Sequence, residues 1–74
     1  MDELVTVDEI INRIKKYLIP HMDKRPLDQD VAGVLRVDNV YLASIKKRNN
    51  TSLILPNVLQ FCRRTGVDPM KILF

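Results

Sequence analysis

The 74 residues include a single cysteine, Cys62, so no disulfide can close within the chain, a usage that fits a reducing cytoplasm. Glycine occurs only twice, which argues against an irregular or disordered chain. No apolar run approaches membrane-spanning length, and the opening MDELV lacks the basic-then-apolar layout of a signal peptide. The one histidine, His21, has no second His, Cys or carboxylate at ligand spacing, so a surface side chain is expected rather than a metal ligand. There are no internal repeats, no low-complexity segments and no glycine-rich phosphate loop. Neither a Ser/His/Asp set nor paired carboxylates can be assembled, and the acidic residues read as caps and solvated faces. Enzymatic activity, a cofactor and a small-molecule ligand are therefore not expected.

What is present is helical patterning. The apolar fraction is 46%, normal for a globular protein, and the length fits one domain, residues 1–74, near the lower limit for a self-sufficient core. From Asp28 to Arg48, DQDVAGVLRVDNVYLASIKKR reads as two short amphipathic helices joined by a tight turn. Val31 and Leu35 lie one helical turn apart on the face of Ala32, and Leu42 and Ile45 repeat that spacing. Val37 sits alone between them, tucked into the angle. Ala32 is the small residue that lets two steeply crossed helices approach. Asp38 is a good N-cap for the second helix. Lys46, Lys47 and Arg48 end it, where the dipole favours cations. This is the spacing of a helix-turn-helix, and it points to DNA. Arg36 stands where such turns often place Gly, because a residue there tends to adopt positive φ. It accepts strain and aims a cation near the binding face.

The remaining chain supplies three more helices. Met1 to Val5 reads as a tail or a fraying lead-in. Thr6 and Glu9 have the spacing of a capping box. Val7, Ile10, Ile11, Ile14 and Leu18 then form one apolar stripe, predicting a helix from about Val7 to Tyr17 or a little beyond. Pro20 stops it, and Ile19 to Pro26 reads as a loop with Leu27 as an apolar staple. Asn49 to Ser52 favours a turn. A fourth helix follows, capped near Ser52, with Pro56 in its first turn. Leu55, Val58, Leu59 and Cys62 form its expected buried face, with Phe61 flanking. Gly66 marks its end, Asp68 and Pro69 open a short fifth helix, and Met70, Ile72, Leu73 and Phe74 close the core. The fold class is all-α, a compact bundle of four or five helices.

Net charge is +3 with pI ≈ 9.3, a mild lean toward polyanions. Its distribution is sharper. Acidic residues crowd the N-terminus and Asp28 to Asp38, while Lys46 to Arg48 and Arg63, Arg64 form basic clusters.

The stretches DQDVAGVLRVDNVYLASIKKRNN and LPNVLQFCRRTGVDPMKIL together resemble the helix-turn-helix domain of phage CI-type repressors (the lambda-repressor-like fold). The resemblance rests on Ala32 and Leu35, Val37, Leu42, Lys46 to Arg48, Leu55-Pro56, Phe61-Cys62, Gly66 and Asp68 to Leu73, and covers roughly residues 8 to 74. Arg36 departs from the family's usual Gly and Ile45 from a common Trp, and the segment between Arg48 and Pro56 is longer than expected. The resemblance implies a cytoplasmic, nucleoid-associated DNA-binding domain. Relatives often carry a C-terminal oligomerisation or self-cleaving domain, so residues 1–74 could form the N-terminal part of a longer repressor.

On this reading the helix from about Asn39 to Arg48 enters the major groove. Asn39 suits a bidentate adenine contact, Val40 or Ala43 a thymine methyl, and Ser44 and Lys47 complete the base-reading set. Gln29, Arg36, Lys46, Arg48 and Asn49 are expected at phosphates of a double-stranded operator, and Tyr41 either there or covering the core edge. The domain is expected as a monomer or weak dimer alone, pairing on a two-fold operator. Two rivals share the pattern: a protein-interaction module (an adaptor or anti-repressor), and an accessory scaffold domain of a larger enzyme.

Overall fold

Thr6, Asp38 and Asp68 each place a side-chain oxygen on a free N–H at a helix start, and Arg36, Asn49 and Gly66 each end a helix in the left-handed region. The computed structural model describes residues 4–74. Of the lead-in Met1 to Val5, residues 1–3 lie outside the described ones.

Helix α1 (Val7–Leu18) opens with Thr6 Oγ1 accepting the Glu9 N–H at 3.2 Å. Only this half of the expected capping box forms, because the Glu9 carboxylate accepts instead from Arg13 Nε at 2.9 Å. The whole predicted stripe, Val7, Ile10, Ile11, Ile14 and Leu18, is buried. At Ile19–His21 the chain tightens into a 3-10 turn containing Pro20.

Helix α2 (Asp28–Leu35) starts with Asp30 Oδ2 accepting the Leu27 N–H at 2.8 Å. Leu27 itself is 48% exposed and staples nothing, whereas Pro26 beside it is buried. The helix ends at Arg36, φ 60 and ψ 42. Val37 N–H reaches back to the Ala32 carbonyl at 3.0 Å and Arg36 N–H to that of Gly33 at 3.2 Å. This is a Schellman closure carrying arginine where glycine is usual. Val37 is only half-buried, short of the burial expected of it.

Helix α3 (Asn39–Arg48) is capped by Asp38, whose Oδ1 accepts the Val40 N–H at 3.1 Å. It ends in the same closure, with Asn49 at φ 53 and Asn50 N–H on the Ile45 carbonyl.

Helix α4 (Thr51–Thr65) differs most from expectation. It begins at Thr51, so Pro56 lies inside it rather than in its first turn. Its buried face is Ile54, Val58, Phe61 and Cys62. Leu55 is half-buried and Leu59 is 39% exposed. Both stripes have helical spacing. The one that wins buries Phe61, the largest fully buried side chain, because an aromatic ring removes the most area from water. Gly66, φ 77, ends the helix as expected.

Helix α5 (Pro69–Leu73) is capped by Asp68 Oδ1 on the Met70 N–H at 3.0 Å. Ile72 and Leu73 are buried, but Met70 and Phe74 stay exposed because so short a helix turns only one edge inward.

The result is an all-α bundle of five helices, with no strand among the described residues. Helix α1 packs against α2, α3 and α5, while α4 covers α2 and α3. Helix α4 also serves the end of α2: Asn57 Nδ2 donates to the Leu35 carbonyl at 3.0 Å, and the Arg64 guanidinium donates to that of Val34. Val5 is no loose tail. Its N–H donates to the Leu73 carbonyl at 2.9 Å and its own carbonyl accepts from Thr51 Oγ1. No described helix is long and apolar enough to cross a membrane.

Candidate nucleic-acid interface

Helix α3 enters the core through Leu42 and Ile45 alone; every other residue of it is exposed. At about 100° per residue, the direction opposite that buried edge belongs to Val40, Ala43, Ser44 and Lys47. Val40 is 74% exposed. Asn39 and Lys46 lie on one flank of this face, and Tyr41 and Arg48 on the other. The base-reading candidates Asn39, Val40, Ala43, Ser44 and Lys47 thus share one contiguous, solvated surface. Neither Asn39 nor Ser44 makes a side-chain hydrogen bond to another described residue, so their donors and acceptors are open to a ligand.

The six candidates for phosphate contact do not form one group. Gln29 is exposed at the start of α2, Arg48 at the end of α3, and Tyr41 is 45% exposed between them. Arg36 is exposed in the α2–α3 turn. Lys46 and Asn49 are engaged within the protein. Lys46 Nζ meets Asp28 Oδ2 at 2.9 Å and Asp8 Oδ1 at 3.5 Å, while Lys15 Nζ holds the other Asp28 oxygen at 2.6 Å. Charge-assisted bonds from Lys15 and then Lys46 hold the Asp28 carboxyl below the usual carboxylate range, and Asp28 in turn raises the Lys46 ammonium. This network joins α1, α2 and α3. Asn49 Oδ1 accepts the Val7 N–H at 2.9 Å, capping α1 from the end of α3. A signal for that role was available, since Asn tolerates the left-handed region and its side chain is a good acceptor. Its partner, 42 positions away, was not visible.

Lys47 and Arg48 have no ion-pair partner among the described residues. Among the described residues, the basic end of α3 thus keeps Lys47 and Arg48 unpaired while Lys46 secures the fold.

Other reactive groups lie elsewhere. His21 packs beside Tyr17 with ring centroids 5.0 Å apart. Cys62 is buried, and loss of solvent with the nearby Asp68 charge pushes its thiol up. No cluster of three metal-ligating side chains occurs among the described residues. Compared with protein-family models, curated proteins and solved structures, the chain matches none.

Proposed function

We propose that α2, its turn and α3 form a helix-turn-helix that binds double-stranded DNA sequence-specifically, as the DNA-binding domain of a transcriptional repressor of the phage CI type. One observation carries the reading: α3 is held by two side chains and presents all the others to solvent, ending in Lys47 and Arg48, which have no ion-pair partner among the described residues. A surface helix ordinarily has a polar face; here that face gathers Asn39, Val40, Ala43, Ser44 and Lys47 beside a basic helix end. Asn39, one residue after the cap, lies where a major-groove helix offers its first turn to base edges. Its amide matches the N6 and N7 edge of adenine. Val40 and Ala43 suit thymine methyl groups, and Ser44 and Lys47 extend the reading surface. Gln29, Tyr41 and Arg48 take phosphates. Lys46, already paired with Asp28 and Asp8, contributes to the fold first. The protein acts in the cytoplasm and pairs on a two-fold operator.

Val40 and Tyr41 favour one second reading, a protein-interaction surface on the same helix, because both expose apolar area. Titration of the purified chain with duplex DNA at two salt concentrations separates the two. DNA binding weakens steeply as salt rises. Absence of DNA binding at low salt would overturn the proposal.

A further inference from the structure

Away from the exposed face of α3, the C-terminal ends of α2 and α4 border two adjoining hollows of about 300 Å³ each. Both are walled by Arg36 and Arg64, and Arg63 borders the second. The floor of the first includes Tyr17, Val34 and Phe61, with the two rings edge to face at 5.5 Å. Among the described residues, no carboxylate and no residue of α3 lines either hollow. An apolar floor, a few convergent charged groups and this volume are the makings of a small-ligand site.

The fold alone accounts for two of these arginines but not for the third. Arg63 and Arg64 lie in the last turn of α4, where the helix dipole favours cations. Arg64 is oriented by the Val34 carbonyl, which leaves most of its N–H donors unused. Arg36 is different. It holds a left-handed position, φ 60, that glycine would occupy without strain, and it makes no ion pair among the described residues. Strain kept at a charged residue that faces a hollow marks a place where the side chain is used.

We infer that this cleft binds a small organic anion, a carboxylate or phosphate monoester with an apolar body. The body lies on Tyr17, Val34 and Phe61, and the charged group is held by Arg36, Arg63 and Arg64, whose planar forks match carboxylate and phosphate oxygens. The inference does not rest on the DNA reading of α3. A ligand here touches the joint between α2 and α3 through Arg36.

An amide NMR titration of the whole chain with phenyl phosphate tests this, with inorganic phosphate and benzyl alcohol as charge-only and body-only probes. Saturable shifts are expected at Gly33, Val34, Arg36 and Thr65, with binding at least about tenfold weaker for either control. The double variant R36Q/R63Q should lose at least about tenfold in affinity. Both residues are exposed and, among the described residues, hold no carbonyl or carboxylate through their side chains, so the variant keeps the fold. Shifts that do not saturate, that centre on α3, or that persist unchanged in the double variant would overturn the inference. So would equal affinity for inorganic phosphate or benzyl alcohol.

Discussion

The side-chain oxygen of Asn49 accepts the backbone N–H of Val7 at 2.9 Å, so the residue that ends α3 also caps α1. One residue thereby serves two helix termini, α1 through its side chain and α3 through its backbone, and its φ of 53 suits Asn better than most residues. Asn49→Ala removes the acceptor and keeps the backbone strain, and should cost about 1–2 kcal/mol in urea unfolding. Asn49→Gly relieves the strain but not the lost cap, and should fall between Ala and wild type. Equal stability of Ala and wild type would show that the cap contributes nothing.

The buried edge of α4 gives a contrast within one helix. Phe61→Ala should cost about 3–5 kcal/mol, enough to unfold much of a small domain. Leu59→Ala, at an exposed position, should cost less than about 1 kcal/mol. Thermal unfolding of both variants checks the assignment, and comparable losses would contradict it.

These two helices show which parts of the fold could be read in advance. The stripe of α1, the caps Asp38 and Asp68, and the glycine after α4 follow from local spacing and turn chemistry. In α4, Leu55-Val58-Leu59-Cys62 and Ile54-Val58-Phe61-Cys62 both satisfy helical periodicity, so periodicity could not choose between them. The choice depends on what the neighbouring helices leave room for. The same limit applies at the candidate site. The exposed side of α3 follows from Leu42 and Ile45, but the capture of Lys46 by Asp28 and Asp8 joins residues brought together only by folding.

That capture has a pH signature. The Asp28 carboxyl lies below its ordinary value of 3.8 in the folded protein. Its contribution is therefore complete above that value and is lost as pH falls through the lower folded one. Asp28→Asn should cost about 0.5–1 kcal/mol at neutral pH, and the stability curves of variant and wild type should converge in acid below the ordinary value. At the basic end the sign reverses. Lys46, raised above 10.5, gives its contribution in full below that value and loses it as pH climbs through the raised one. Urea midpoints across pH, at low and high salt, test this. A constant gap between the two proteins down to strong acid would refute it.

For α3, the DNA reading separates three neighbouring cations. Lys47→Ala and Arg48→Ala should each reduce the salt slope of binding by about one unit on any duplex. Lys46→Ala should chiefly lower the unfolding midpoint. Asn39→Ala should cost about 1–3 kcal/mol on the preferred site and flatten discrimination at one base pair, leaving non-specific affinity nearly unchanged. Selection on randomised DNA with wild type and Asn39→Ala decides the last point. If both recover the same base everywhere, Asn39 reads nothing.

The hydrogen bond from Val5 to the Leu73 carbonyl makes the backbone a nearly closed ring. A ring can be cut in another place. Bridging these two residues by a short linker and opening the chain within the exposed stretch Asp23 to Arg25 would reorder the helices along the sequence. The Val5–Leu73 contact would become a short-range one, while Lys15 and Asp28, near in sequence now, would lie far apart along the chain. The native packing would stay the same, while the order in which its parts meet during folding would change.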